Sequence, residues 1–136
     1  MAWVVDTCVL LDVALDDPVY FESAEELLFS RRQEGLVICP VTLVELAPTF
    51  AGDLLDAKNF LADVGVDWRE AWSVADTEAA FAGWNRYVTR RREARTPRRP
   101  IADIQIGGFA LRFDGLLTRN AADFRTTFPT LKILEP

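Results

Sequence analysis

At 136 residues, half of them apolar, and with a mean hydropathy of +0.07, the chain reads as one folded domain over residues 1–136, able to bury about two-thirds of its unfolded surface. It contains no histidine, which excludes Ser-His-Asp and Cys-His nucleophilic sites, imidazole acid–base catalysis and every His-bearing metal site. The net charge of −6 argues against a nucleic-acid partner only until its distribution is read: over residues 86–99, Arg86, Arg90, Arg91, Arg92, Arg95, Arg98 and Arg99 are opposed by Glu93 alone, and local potential steers a polyanion better than a net sum does.

Residues 2–5 form an apolar run of the kind found in central parallel strands, and a short helical turn over residues 7–11 is expected next. After Pro18, Phe21, Ala24, Leu27 and Leu28 recur at helical spacing, and Gly35 closes that helix. Residues 36–39 read as a second buried strand. Pro40 breaks it, and the helix that follows carries Leu43, Leu46 and Ala47 inward until Pro48 and Gly52 cut it short. Another helix runs over about residues 53–64, and residues 66–68 form a short edge strand. From Asp76, the spacing of Ala80, Trp84, Tyr87 and Val88 predicts an amphipathic helix with Trp84 in the core. It continues into the arginine segment and stops at Pro97 and Pro100. Asp103 opens a further helix that turns Ile106, Gly107, Ala110 and Leu111 to the sheet. Its Gly107-Gly108 pair costs about 1–2 kcal/mol relative to alanine and implies close approach to a strand or a neighbouring subunit. Residues 115–118 and 131–134 are the last strands. The alternation predicts an α/β protein: three layers, α/β/α, around a central, mainly parallel sheet of four to five strands. Ligands bind such sheets beyond the carboxyl ends of the strands.

Cys8 and Cys39 form no CxxC pair, so reduced, packed thiols are expected. No apolar run approaches the roughly 20 residues of a membrane helix, and no basic leader precedes Asp6; a cytoplasmic protein without membrane contact is expected.

Four acids fall where such a fold gathers residues at one sheet edge: Asp6 after Trp3-Val4-Val5, Glu45 in Thr42-Leu43-Val44-Glu45, Asp103 in Pro100-Ile101-Ala102-Asp103, and Asp123 in Thr118-Arg119-Asn120-Ala121-Ala122-Asp123-Phe124. Converging carboxylates repel by several kcal/mol unless a cation sits between them, and oxygen-only ligands suit Mg²⁺ or Mn²⁺. Each acid also has a purely structural reading. Asp6 fits a helix N-cap, Thr42-x-x-Glu45 a capping box, Asp103 the favourable first turn of a helix, and Asp123 or Asn120 a turn residue.

Val5-Asp6-Thr7, Thr42-Leu43-Val44-Glu45-Leu46, Ile101-Ala102-Asp103-Ile104-Gln105-Ile106-Gly107 and Leu117-Thr118-Arg119-Asn120-Ala121-Ala122-Asp123-Phe124, in that order, resemble the PIN-domain ribonucleases, in particular the VapC-type toxins of bacterial toxin–antitoxin pairs. The resemblance spans nearly the whole chain. It implies a PIN-like fold and a metal-dependent endoribonuclease that cuts RNA with Mg²⁺ or Mn²⁺, leaving 5′-phosphate and 3′-hydroxyl ends. Asp6, Glu45, Asp103 and Asp123 correspond to the acidic metal-binding and catalytic residues, with Thr7, Thr118 and Asn120 as polar support. It also implies a homodimer and a cognate antitoxin protein. Cys8 departs from the pattern, standing where the family has serine or asparagine. Arg119 and the arginines of residues 86–99 are candidates for gripping the RNA backbone, which makes binding salt-sensitive, and Trp68, Trp72 and Trp84 for anchoring a protein partner. The rival reading is a non-catalytic PIN-like module that binds RNA or protein through the same surface. A carboxylate–Mg²⁺ phosphatase is disfavoured, because Lys58 and Lys132 are the only lysines.

Overall fold

The run Trp3–Val5 becomes β1, the middle strand of a five-stranded sheet, in a computed structural model that describes residues 2–94 and 101–136. The other strands are β2 (Leu36–Val37), β3 (Val66–Asp67), β4 (Gly115–Leu117) and β5 (Ile133–Leu134), in the order β3-β2-β1-β4-β5. Every pairing is parallel, with Trp3 beside both Leu36 and Gly115.

Successive strand residues point to opposite faces, and the core divides accordingly. Trp3, Val5, Leu36, Val66 and Leu117 join one buried cluster with Val9 and Leu10 of α1 (Thr7–Ala14), Ala24 and Leu28 of α2 (Phe21–Arg31) and Leu61 of α4 (Leu54–Asp63). Val4, Val37 and Leu116 join a second cluster with Tyr87 of α5 (Val74–Ala94), Phe109 of α6 (Ile101–Ala110) and Phe124 of α7 (Ala121–Thr127). With α3 (Pro40–Glu45) after β2, seven α-helices are described. The result is the expected α/β class: three layers, α/β/α, around an all-parallel sheet. Among the described residues, no helix is long and apolar enough to cross a membrane.

Several elements differ from expectation for local reasons. Helix α1 runs to Ala14 rather than residue 11, because Leu11 and Val13 still pack on the first cluster. Strand β2 stops at Val37; Cys39 is already the N-cap of α3, and Pro40, which lacks an N–H for the ladder, fits the first helical turn. Leu46 is fully buried, but Ala47 is exposed because the chain leaves α3 there for a 3₁₀ turn over Ala47–Phe50. Helix α5 begins at Val74, not Asp76: the Ser73 N–H donates to Asp76 Oδ2 (2.9 Å) and the Asp76 N–H to Ser73 Oγ (3.2 Å), a reciprocal cap. Trp84 is 37% exposed rather than in the core; its neighbour Tyr87, centroids 5.4 Å apart, takes the buried place. Helix α7 replaces the expected turn around Asp123, burying Ala121, Phe124 and Thr127 on one face. Within the chain, the Gly107-Gly108 pair makes its close approach to a helix and an aromatic ring rather than to a strand. A Cβ on Gly108 would stand 2.8 Å from the Ala80 nitrogen of α5, and one on Gly107 would collide with the Phe128 ring. Pro97, Pro100, Arg95, Arg98 and Arg99 lie outside the described residues, as does the side chain of Arg92.

Candidate active site

From β1 the chain reaches β2 on one side, and from α6 it returns to β4 on the other. The segments that leave β1 and β4 therefore diverge and open a crevice at the carboxyl edge, the switch point where parallel sheets take ligands. Asp6 follows β1 and Thr118 follows β4. The Asp6 N–H continues the ladder to the Leu117 carbonyl (2.9 Å), which brings the two side chains together.

Asp6 is only 3% exposed. Its Oδ1 accepts the Thr7 N–H at 2.8 Å, so it does cap α1. Its Oδ2 accepts the Thr118 hydroxyl at 2.7 Å and the Cys8 thiol at 3.3 Å. Thr118, wholly buried, in turn accepts the Asn120 N–H at 3.0 Å; Asn120 contributes through its backbone while its side chain is exposed at the head of α7. Cys8 thus supplies a donor at the position where the resemblance leads one to expect a hydroxyl or amide. Burial, followed by the charge of Asp6, pushes that thiol up to about 12, so it stays protonated and able to donate. Both cysteines are free.

Glu45 ends α3. The Thr7 hydroxyl donates to Glu45 Oε1 at 2.7 Å and lies 3.1 Å from the buried Thr42 hydroxyl. A hydroxyl has one proton, and a carboxylate is the stronger acceptor. Thr7 therefore couples two acids, giving its N–H to Asp6 and its O–H to Glu45. The capping-box reading of Thr42 and Glu45 fails, since Thr42 lies inside α3 and faces Thr7.

Asp103, in the first turn of α6, stands close enough for its charge to act on Asp6. Burial is the largest influence on the Asp6 carboxyl and raises it; the Thr118 bond lowers it, Asp103 raises it again, and it ends above the ordinary aspartate value. Asp123 is exposed in the first turn of α7. The four acids are gathered only in part, Asp6 with Asp103 through charge and with Glu45 through Thr7. Among the described residues, no group of three or more acid or cysteine side chains is arranged to hold a metal ion. The donor chemistry nonetheless fits Mg²⁺ or Mn²⁺. Asp6, Asp103 and Glu45 offer hard oxygens, and the ionised form of a carboxyl this buried is unfavourable beside a second negative charge without a cation.

The arginines divide into distinct roles. Arg119 donates from Nε and Nη2 to the two carboxylate oxygens of buried Asp12, at 2.7 and 3.0 Å, and its guanidinium lies 4.3 Å from the Tyr20 ring centroid. Arg86 donates to the Thr127 carbonyl (2.7 Å) and Arg90 to the Thr127 hydroxyl (3.4 Å), both at the end of α7, while Arg91 is exposed. Two buried acids escaped the sequence reading. Asp12 interrupts an apolar helix face, which is a signal that it needs a cation. Asp76 is held by both ends of the Arg112 fork, each at 3.0 Å. Of the three tryptophans proposed as partner anchors, Trp68 carries Lys58 at 4.3 Å from its centroid. Trp72 and Trp84 line a groove of about 310 Å³ between α5 and α6, with Phe81, Ile101 and Ile104, and none of the four acids is part of its lining.

No protein-family model matches the chain, and no curated protein matches it.

Proposed function

We propose that this chain is a metal-dependent endoribonuclease of the PIN type, the toxin of a toxin–antitoxin pair. The observation that carries the reading is the buried Asp6 at the sheet's switch point, raised by burial and by Asp103 and wired to Thr118, Cys8 and Thr7. Capping a helix gains nothing from burying the carboxylate next to a second acid, whereas a bound cation offsets that charge.

Asp6, Asp103 and Glu45 would hold Mg²⁺ or Mn²⁺, with Asp123 as a fourth acid. A divalent ion supplies charge neutralisation at the scissile phosphate and acidifies the attacking water. Thr118 and Cys8 occupy Asp6 Oδ2, and the Thr7 N–H takes one lone pair of Oδ1, leaving the other as the carboxyl's unused acceptor. Glu45, oriented by the Thr7 hydroxyl, would act either as the third ligand or, in place of that, as the base that takes a proton from the attacking water. The arginines of residues 86–99 draw in the RNA chain. A cognate antitoxin and a homodimer belong to the same proposal.

The test is cleavage of RNA with Mg²⁺ or Mn²⁺, with and without chelator, by the wild type, Asp6→Asn and Asp103→Asn. Cleavage that survives both substitutions and metal removal refutes the mechanism. RNA binding with no cutting under any metal condition assigns the chain to the non-catalytic reading instead. Growth arrest on expression, relieved by Asp6→Asn, tests the toxin assignment.

A further inference from the structure

We propose that Arg119 reads a nucleobase, an unpaired guanine beside the cut, and does not act as a phosphate clamp; the inference rests on the nuclease reading above. Arg119 directly follows Thr118, whose hydroxyl holds Asp6, and its guanidinium interacts electrostatically with Cys8, whose thiol also donates to Asp6, which sets it beside the carboxylate site. It is not a mobile surface cation. Asp12, 4% exposed in its side chain, takes Nε at 2.7 Å and Nη2 at 3.0 Å. The bidentate pair is electrically neutral, and a neutral pair offers a phosphate little Coulombic attraction and releases few counterions.

What remains is directional. With the Nε/Nη2 edge of the fork committed to Asp12, the outer N–H of Nη2 and one N–H of Nη1 form a second, parallel pair on the adjoining edge. Among the described residues Nη1 has no hydrogen-bond partner, and the Arg119 side chain is 34% exposed. Two parallel donors in a fixed plane match two acceptors side by side, the O6 and N7 of guanine. A flat surface is already present: Tyr20 is 40% exposed with the guanidinium 4.3 Å from its ring centroid. Tyr20 is itself held, because Asp17 Oδ1 accepts the N–H groups of both Val19 and Tyr20 at 2.9 Å. Val19, 73% exposed, extends that apolar rim. Single-stranded RNA is read in this way, by bases splayed onto aromatic and guanidinium planes and hydrogen-bonded along an edge.

The experiment measures binding of short single-stranded RNAs to the wild-type protein in chelator, over a series of salt concentrations. The oligonucleotides carry one guanine, one adenine or one 7-deazaguanine at the same position. Guanine should be preferred by about 10-fold, a preference lost with 7-deazaguanine and in Arg119→Gln. The salt slope should be unchanged in Arg119→Gln and reduced in Arg91→Gln. Tyr20→Leu should weaken binding by about 5-fold while keeping the preference. Because Arg119→Gln alone strands a buried carboxylate, Asp12→Asn/Arg119→Gln is measured beside it, with melting curves to confirm folding. A slope reduced by about 0.7 in Arg119→Gln, with no base preference in the wild type, makes Arg119 a phosphate contact and overturns the proposal. A guanine preference that persists in both Arg119 variants overturns it as well. A wild-type protein that binds none of the oligonucleotides, or binds them without base preference, overturns this inference alone; the nuclease reading stands or falls on the cleavage assay above.

Discussion

Asp6→Asn should make the metal-free protein more stable while abolishing its response to Mn²⁺. The Asp6 carboxyl is 3% exposed, and burial together with the charge of Asp103 raises it above the ordinary aspartate value, against the pull of the Thr118, Cys8 and Thr7 bonds. An acid raised on folding binds its proton more tightly in the native state. Its favourable contribution is therefore full below the unfolded value and is lost as pH rises through the folded one. Above that folded value the ionised carboxyl is a net burden, which an amide relieves. The amide keeps the acceptor for the Thr7 N–H, but Thr118 must turn to accept rather than donate, which costs about 1 kcal/mol. Replacing a buried charge with a neutral group is worth about 1–4 kcal/mol, so the net gain is about 0–3 kcal/mol. For 136 residues, an unfolding entropy of about 2.1 cal/mol/K per residue converts 1 kcal/mol into about 3–4 °C, giving a rise of up to about 10 °C. Saturating the wild type with Mn²⁺ at about 100 times its Kd adds about 2.7 kcal/mol, close to 9 °C; the variant should gain almost nothing. Calorimetric melts at pH 5 and pH 8, in chelator or Mn²⁺, read both effects, and the advantage of the variant in chelator should shrink at pH 5. An Asp6→Asn protein that melts several degrees below the wild type at pH 8 in chelator, or an equal Mn²⁺ shift in both proteins, refutes the reasoning.

Arg112→Met should cost about 2–3 kcal/mol in chemical denaturation. It strands Asp76, although the 31% exposure of the Arg112 side chain keeps the loss below that of a fully buried pair. Burial raises the Asp76 carboxyl, but the bonds from Arg112 and Ser73 outweigh it and hold it below the ordinary value. Its contribution is therefore present above the unfolded value and is lost as pH falls through the folded one, so acid titration of the wild type should show a loss that the variant lacks. Gly107→Ala gains about 1 kcal/mol of helix propensity but drives a Cβ into the Phe128 ring. It should destabilise by about 1–2 kcal/mol, and combining it with Phe128→Leu should be non-additive. The Cys8 thiol, pushed up to about 12, should react with a disulfide reagent at pH 8 far more slowly in the native protein than after unfolding.

The layers were legible in the sequence because they depend on local period. The apolar run of β1, the spacing of Ala24 and Leu28, and Gly35 after α2 each carry their own signal. The ladder that sets Asp6 beside Leu117 is longer in range but follows from the same alternation. Partner identity was not legible. Gly107 and Gly108 announced a close approach, but only the fold shows that Phe128 and Ala80 make it. Asp12 meets Arg119 across 107 positions and Asp76 meets Arg112 across 36, and no spacing rule links them. Trp84 and Tyr87 share a helix and both fit an apolar stripe, and the choice of which one faces inward is made by the packing of α6 and α7. Helix α7 was hidden because its seven residues make only about two turns, too few to show a period.

The structural and functional readings of Asp6 are not alternatives, and Asp17 provides the internal comparison. Asp17 also accepts backbone N–H groups, from Val19 and Tyr20, but in an exposed turn, and those bonds lower its carboxyl below the ordinary value. That is the expected effect of donors on a carboxylate that has no other demands on it. Asp6 accepts the Thr7 N–H in the same way, with two side-chain donors besides, yet it moves in the opposite direction because burial and Asp103 outweigh them. A fold that needed only an N-cap would keep Asp6 at the surface and place no second acid near it. Here the unfavourable charge is concentrated at the one crevice that the strand order β2-β1-β4 opens, and Thr118 and Thr7 hold it in a fixed orientation. A charge made costly and then locked in place is arranged for a cation that arrives later, and this is why metal affinity and apo stability should move in opposite directions when Asp6 is changed.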